Sequence, residues 1–219
     1  MTDFGLYLVI TDPIVGYAKC AEAAVKAGVR MVQLRMKHAS RGDILREARE
    51  VRQVIAGTDT LFIVNDNPFI AAESGADGVH VGQEDMSPSE IRLKFPELRI
   101  VGLSTHNIAQ MRDSLLQPVD YIGVGPVYAT PTKDIPDPTL GLETMSRMIR
   151  IADRPAVAIG GIDMMRLPEV LSAGARNFAV VRAVCQSVDP YSVIMEMKAV
   201  LSVYAFPKSP SFPGLNASS

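Results

Sequence analysis

The chain has 219 residues, of which 47% are hydrophobic and 21% charged, and a formal net charge of -2 at pH 7. This length and composition suit one domain with a single large core, and the near balance of charge without a Lys/Arg run argues against nucleic acid or a membrane surface as the main partner. Cys20 and Cys185 are the only cysteines of the sequence, so neither a disulfide framework nor a cysteine-rich metal site is expected, and both thiols are predicted to be free and buried.

The beginning of the sequence lacks the basic segment and apolar run of a targeting peptide, and eighteen apolar residues never stand together. We therefore predict a cytoplasmic protein without a membrane partner. The oligomeric state is left open, with a homo-oligomer among the options.

Short apolar runs alternate along the chain with longer stretches of helical periodicity, and there are eight of each. The predicted strands span residues 6–11, 31–35, 61–65, 78–81, 100–104, 121–124, 156–159 and 177–181. The predicted helices span residues 17–27, 40–55, 68–74, 88–94, 108–116, 142–152, 167–173 and 190–201. This alternation predicts an α/β fold, a (β/α)8 TIM barrel that forms one catalytic domain over residues 1–205. An open doubly wound sheet is the alternative, but no Gly-rich nucleotide-binding turn follows the first strand.

Two segments interrupt the alternation. Residues 125–140 form a long loop rich in proline and threonine, which is typical of a lid or binding loop. Residues 206–219 form a Pro/Ser-rich C-terminal tail, which we predict to be disordered.

Polar residues gather where the second predicted strand ends. The active site of a barrel lies at the C-terminal ends of its strands, so polar residues at these positions are candidate functional groups. The second strand ends in Gln33-Leu34-Arg35-Met36-Lys37, and side-chain alternation places Gln33, Arg35 and Lys37 on one side. Solvated charges at a strand end are the simpler interpretation, but an amide within an apolar strand fits it poorly.

Two aspartates follow the third and fourth strands. The third strand ends in Asn65-Asp66, and Asp85 follows the fourth. Carboxylates from adjacent strands can bind one hard cation together with substrate phosphates. Helix capping competes with this reading, but Asn67 and Ser87 already occupy the capping positions, the latter as part of a predicted capping box. We therefore favour metal binding by Asp66 and Asp85.

The fifth strand ends in Ser104, whose hydroxyl can donate to a phosphate oxygen, and His106 follows it. His106 could act as an acid or base, although a hydrogen-bonded structural role is an equal alternative. His80 lies within an apolar strand and is predicted to be a hydrogen-bonded core histidine.

The last three strands are followed by a second group of phosphate-binding candidates. The loop after the sixth strand contains Thr130, Thr132 and Lys133, two hydroxyls and an ammonium on a proline-stiffened segment. The seventh strand ends in Gly160-Gly161 and the eighth in Val181-Arg182. These positions expose backbone N–H groups where barrel enzymes frequently bind phosphate.

The strand-end segments together resemble the thiamine phosphate synthase family, also called thiamine-phosphate pyrophosphorylase. The resemblance lies in LYLVITD at 6–12, QLRMK at 33–37, VNDNP at 64–68, GADGVHVGQED at 75–85, GLSTH at 102–106, DYIGVGPVYATPTK at 120–133, AIGGI at 158–162 and AVVRAV at 179–184. It covers nearly the whole chain in order, so the combination is far more specific than any single segment.

The resemblance implies an Mg²⁺-dependent transferase that couples a hydroxymethylpyrimidine diphosphate to a hydroxyethylthiazole phosphate, releasing pyrophosphate. The implied contacts to the pyrimidine diphosphate are Gln33, Arg35, Lys37, Asn65, Ser104 and Lys133, with Arg35, Lys37 and Lys133 as catalytic cations. The implied metal ligands are Asp66 and Asp85. The implied contacts to the thiazole phosphate are Thr130, Thr132, Gly161, Val181 and Arg182.

The sequence departs from the family in two places. Arg182 stands where a serine is expected more often, which is harmless if the contact is made by the backbone N–H. The segment DIPDPTL at 134–140 resembles an insertion and leaves the shape of the loop open.

Two other functions compete with the synthase. A thiazole tautomerase of a related branch would use His106 as its acid/base, but it leaves the cations and the two aspartates without a reason to occur together. A non-catalytic barrel that binds thiamine precursors is the third hypothesis. The sequence does not distinguish a carboxylated from a decarboxylated thiazole phosphate.

Overall fold

The computed structural model describes residues 3–130 and 138–204, which form strands and helices in alternation. The strands are β1 (Leu6–Ile10), β2 (Met31–Leu34), β3 (Leu61–Asn65), β4 (Gly78–Val81), β5 (Ile100–Thr105), β6 (Tyr121–Val124), β7 (Ala156–Ala158) and β8 (Asn177–Val180). The helices are α1 (Tyr17–Lys26), α2 (Arg41–Ile55), α3 (Pro68–Ser74), α4 (Pro88–Lys94), α5 (Ile108–Ser114), α6 (Gly141–Ile151), α7 (Leu167–Ser172), α8 (Arg182–Cys185) and α9 (Pro190–Val203). No helix in these two ranges is long and apolar enough to cross a membrane.

The predicted (β/α)8 barrel is confirmed. The eight strands are parallel and pair in chain order, and β8 closes the barrel by pairing with β1, Leu6 lying opposite Phe178. Each predicted strand is present with its ends within one residue, and each predicted helix within two. Helix α8 was not predicted, because a single turn is too short to show a helical period. The predicted tail at 206–219 lies outside the described residues.

Side-chain alternation divides the apolar residues into two cores. One face of each strand packs against the surrounding helices, as Leu6, Leu8 and Ile10 do from β1. The other face fills the barrel interior with a smaller core, whose buried members are Tyr7, Val9, Met31, Ile63, Ile100, Tyr121, Val157 and Ala179. The inner core therefore forms the floor beneath the C-terminal ends of the strands. Both cysteines are free and buried, as predicted.

Short side chains at the starts of the helices confirm the predicted caps. Asn67 accepts a hydrogen bond from the backbone N–H of Ile70 at 3.0 Å, and Ser87 accepts one from Glu90 at 3.3 Å. The second half of the predicted capping box is wrong, because the carboxylate of Glu90 binds Lys94 instead. Since Asn67 and Ser87 cap α3 and α4, the aspartates nearby are left for another role.

Other acidic residues are structural and lie at the opposite end of the barrel. Asp77, just before β4, accepts a hydrogen bond from a β3 backbone N–H at 2.9 Å and pairs with Arg99. Asp120, just before β6, accepts from a β5 backbone N–H at 2.6 Å and pairs with Arg92. These pairs tie the N-terminal ends of the strands together, away from the candidate site.

Candidate active site

A cavity of about 290 Å³ opens at the C-terminal ends of the strands, and each strand or the segment that follows it contributes to the lining. This is the face at which barrel enzymes build their active sites. The residues predicted for the site that line this cavity are Gln33, Arg35, Asn65, Ser104, Thr130, Gly161, Val181 and Arg182. The barrel thus brings both predicted phosphate-binding groups to one opening, although they follow different strands of the chain.

Gln33 on β2 and Arg35 just after it line the cavity, as alternation predicted, but Lys37, predicted for the same side, does not. Gln33 is only 3% exposed, and its amide N–H donates to the Tyr7 hydroxyl at 2.7 Å. Arg35 follows the strand, and its backbone N–H donates to Ile10 at 2.9 Å. A buried amide and a guanidinium therefore stand one above the other on the same wall, a pairing suited to a ring with an anionic substituent.

A cluster of opposite charges lies beside this wall and contributes nothing to the cavity lining. Lys37 forms an ion pair with Asp66, and Asp85 accepts a hydrogen bond from the backbone N–H of Gly82 at 2.7 Å. Burial raises the pKa of the Asp85 carboxyl; the Gly82 N–H opposes this shift, and the negative charge of Asp66 adds to it. Asp66 is therefore close enough to disfavour the charged form of Asp85.

This pair of carboxylates fits a hard divalent cation. Mg²⁺ prefers oxygen ligands and is commonly held by one or two carboxylates, with waters and substrate phosphates completing its shell. A cation between Asp66 and Asp85 would relieve their repulsion. Among the described residues, no cluster of three or more His, Cys, Asp or Glu side chains could hold a metal ion. The remaining ligands of the cation would therefore be waters and substrate phosphate oxygens.

Five polar side chains form a hydrogen-bonded row across the cavity floor. The Tyr7 and Tyr121 hydroxyls lie 2.9 Å apart, and Tyr121 lies 2.9 Å from Nδ1 of His80. Nε2 of His80 lies 2.8 Å from the Ser104 hydroxyl, and Gln33 completes the row at Tyr7. His80 is hydrogen-bonded, as predicted, but it also lines the cavity.

The roles of Tyr7 and Tyr121 were missed by the sequence analysis. Both occupy inward positions of apolar strands, where a large ring is also what the core requires. Burial of the phenols raises both pKa values well above the ordinary range, so both hydroxyls stay protonated.

His106 also lines the cavity and is held by contacts to the loop after β6 and to α5. Its Nδ1 lies 2.6 Å from the carbonyl oxygen of Gly125, and its backbone N–H donates to the Gln110 side chain at 2.7 Å. The predicted hydrogen-bonded structural role is therefore present, while the acid/base alternative is not tested by the geometry.

The opposite wall is made largely of backbone. Gly161 has φ of +63°, and a Cβ added there would lie 2.8 Å from both the Ala129 carbonyl oxygen and the Tyr128 Cβ. The loop after β6 is joined to this turn, since Tyr128 N–H donates to the Gly160 carbonyl at 3.0 Å. The close approach and the positive φ together explain why glycine stands at 161. Thr132 and Lys133 lie outside the described residues.

Arg166 is a cavity-lining cation that the sequence analysis missed. Its guanidinium donates to the Gly161 carbonyl at 2.9 Å and lies 4.8 Å from the centre of the Tyr128 ring. The residue lies in the segment between β7 and α7, where no strand alternation could indicate its direction. Together with Arg182 it adds positive charge to the glycine-lined wall.

Comparison with known families matches residues 6–184 to the family described as thiamine monophosphate synthase. A thiamine-phosphate synthase of a Synechococcus species is 42% identical over 181 residues, which are 83% of this chain and 51% of that protein. The thiamine-phosphate synthase of Albidiferax ferrireducens is 37% identical, over 90% of this chain and 91% of its own length. The chain thus spans about half the length of some relatives and nearly all of others.

Among solved structures, the thiamine phosphate pyrophosphorylase of Pyrococcus furiosus superposes with a TM-score of 0.84 at 27% identity, covering 92% of this chain and 97% of that one. A 3-hexulose-6-phosphate synthase superposes with a TM-score of 0.64 at 18% identity, a likeness of fold alone.

Proposed function

Because the chain belongs to the thiamine monophosphate synthase family, we propose that it is a Mg²⁺-assisted thiamine phosphate synthase. The substrates would be 4-amino-2-methyl-5-hydroxymethylpyrimidine diphosphate and 4-methyl-5-(2-phosphooxyethyl)thiazole, or the carboxylated form of the latter. The products would be thiamine phosphate and pyrophosphate. The observation that carries the proposal is the single cavity that unites two walls, each suited to a different phosphorylated group.

The pyrimidine diphosphate is assigned to the wall formed by β2 to β5. Gln33 would hold the ring, and Asn65 and Ser104 would add polar contacts from the neighbouring strands. Arg35 and Lys37 would bind the diphosphate, since a guanidinium and an ammonium form strong charge-assisted hydrogen bonds with phosphate oxygens. Lys133 is assigned as a third cation from the loop after β6, on the basis of the sequence alone.

Asp66 and Asp85 are assigned as the metal ligands. The magnesium ion, when bound, would neutralise charge on the diphosphate leaving group. Lys37 forms an ion pair with Asp66. It would therefore stand beside the bound diphosphate as a further counter-charge. Asp66 directly follows Asn65 and Lys37 lies two residues beyond Arg35, so the charged cluster adjoins two of the cavity-lining residues.

The thiazole phosphate is assigned to the glycine-lined wall. Gly161 and Val181 would donate backbone N–H groups, and Thr130 and Thr132 would donate hydroxyls. Arg182 would add positive charge. Binding the two substrates on opposite walls would bring the ring nitrogen of one toward the methylene carbon of the other.

The proposed chemistry needs no nucleophilic side chain. The carbon–oxygen bond to the diphosphate breaks with the electron pair leaving on oxygen, and the electron-rich aminopyrimidine stabilises the methylene cation. The lone pair of the thiazole nitrogen then forms the carbon–nitrogen bond. That nitrogen carries no proton, so a general base is not required, and Arg35, Lys37 and Lys133 stabilise the leaving group.

The test is release of pyrophosphate from the two substrates by the purified chain with Mg²⁺. We expect turnover that stops with EDTA and returns when Mg²⁺ is added in excess. Turnover unaffected by metal removal would contradict the metal assignment. Isomerisation of the thiazole phosphate tautomer without the pyrimidine would favour the tautomerase, and binding of both substrates without pyrophosphate release would favour a carrier.

A further inference from the structure

The polar row across the cavity floor is continuous from Gln33 on β2 to Ser104 on β5. Gln33 contacts Tyr7 at 2.7 Å, Tyr7 contacts Tyr121 at 2.9 Å, Tyr121 contacts His80 at 2.9 Å and His80 contacts Ser104 at 2.8 Å. The two tyrosines are 2% and 0% exposed. A buried polar group that loses its partner is destabilising, so each hydrogen bond of this row constrains the next.

Counting protons sets the direction of the row. Gln33 donates to the Tyr7 oxygen, so the single proton of Tyr7 is given to Tyr121. Tyr121 in turn gives its proton to Nδ1 of His80, which must then carry its own proton on Nε2. Nε2–H donates to the Ser104 oxygen, which leaves the Ser104 proton for an acceptor elsewhere.

If every proton of the row is to stay paired within it, the bonds reverse together. In the opposite direction Ser104 donates to His80, His80 to Tyr121 and Tyr121 to Tyr7, and Tyr7 must then donate to the Gln33 amide oxygen. The amide would have to turn over and present its N–H groups to the cavity. In a mixed arrangement, one buried tyrosine oxygen would accept two hydrogen bonds of the row, and its own proton would have no acceptor within the row. The two ends of the row are therefore coupled through its three inner members.

We propose that Tyr7, Tyr121 and His80 are positioning residues that hold the Gln33 amide oxygen and the Ser104 proton toward the cavity. With the row in this direction, the Gln33 amide oxygen accepts a hydrogen bond from a ligand N–H group, and the Ser104 hydroxyl donates one to a ligand acceptor. The floor thereby selects a ring with an exocyclic amino group over the same ring with an oxo group. That the ring is an aminopyrimidine diphosphate rests on the proposed function.

The first test compares the affinities of the 4-amino and 4-oxo pyrimidine diphosphates, measured by calorimetry with Mg²⁺. The intact protein should prefer the amino compound, because an oxo group would face the Gln33 oxygen. Tyr7→Phe and Tyr121→Phe break the row and free the amide to turn over. We expect each substitution to lower the amino-to-oxo preference by about tenfold or more, since such discrimination depends on a fixed polar group.

Tyr204→Phe is the matched control, because its hydroxyl donates to the Pro168 carbonyl at 3.1 Å, outside the row. It should keep the full preference. An unchanged preference in a folded Tyr7→Phe variant would overturn the proposal, as would an equal loss in Tyr204→Phe. Thermal unfolding establishes that each variant is folded, and if Tyr7→Phe is not, Tyr121→Phe makes the same test.

The second test needs no ligand and separates this inference from the proposed function. Nitrogen-15 NMR of the histidine side chains distinguishes Nε2–H from Nδ1–H imidazole. His80 should be the Nε2–H form in the intact protein, and an Nδ1–H form would overturn the assigned direction. If neither pyrimidine binds but His80 has the expected tautomer, the proposed function fails while the direction of the row stands.

Discussion

The two walls of the cavity are built from different kinds of chemical group. The wall formed by β2 to β5, called the side-chain wall below, uses an amide and a guanidinium. Two carboxylates and an ammonium lie beside them. The glycine-lined wall after β6 to β8, called the backbone wall below, uses backbone groups exposed by glycine, and Arg166 and Arg182 add charge. The difference indicates that the first wall should be sensitive to loss of charge and the second to any added atom.

The largest effect is expected from neutralising Asp85 on the side-chain wall. Asp85→Asn keeps an oxygen that can accept from the Gly82 N–H but removes the proposed metal ligand charge. We expect kcat to fall by about 10²-fold or more, because metal catalysis supplies several kcal/mol of charge stabilisation. Steady-state kinetics over a range of Mg²⁺ concentrations would measure this loss.

Stability should move differently from activity in this variant. Because the fold raises the pKa of Asp85, its charged form is disfavoured in the folded state, and a neutral amide should leave the melting temperature unchanged or higher. Glu84→Gln is the matched control, since it removes one negative charge from the neighbouring exposed position. An equal loss of kcat in both variants would point to a general change in potential and against a metal ligand at Asp85.

A smaller effect is expected from adding one carbon to the backbone wall. Gly161→Ala places a Cβ within 2.8 Å of two atoms of the loop after β6, so that loop must move. The KM for the thiazole phosphate should rise by about tenfold to a hundredfold, as expected for a displacement of around 1 Å in a binding site. The KM for the pyrimidine diphosphate should change little. Initial rates with each substrate varied in turn would measure both values.

Gly57→Ala separates displacement from backbone strain. Gly57 has φ of +76°, similar to Gly161, but an added Cβ there would meet nothing within 4 Å. Both variants should lose about 1–2 kcal/mol of stability from the left-handed backbone. A rise in the thiazole phosphate KM for Gly57→Ala as well would show that the effect does not arise at the wall.

The same contrast explains what the sequence could predict. Gln33 could be predicted to line the site because an amide interrupts an apolar strand. Asp66 and Asp85 could be proposed as metal ligands because Asn67 and Ser87 already cap the adjacent helices, and that role stays a prediction. Such inferences need only strand alternation and local helix chemistry. Tertiary packing supplied the rest.

The missed residues lack any local signal. A tyrosine bonded to His80 and a tyrosine that only fills the core give the same apolar pattern, so the row through Tyr7 and Tyr121 requires the closed barrel. Arg166 reaches the cavity because Gly161 and Tyr128 hold it there, and those contacts join segments that the sequence separates.

The smallest expected effect concerns Arg182, which stands on the backbone wall but carries a side-chain charge. If Arg182 contributes mainly through its backbone N–H, Arg182→Ser should raise the thiazole phosphate KM only about two- to fivefold, the loss of a partly exposed charge. Added salt should shrink the difference, since screening weakens an exposed charge. Arg176 lies just before β8 and is paired with Asp3. Arg176→Ser removes this cation and should change neither KM. A hundredfold rise in the thiazole phosphate KM that persists in salt would instead show that the Arg182 guanidinium binds the phosphate directly. The two walls would then be alike, because both would depend on charged side chains.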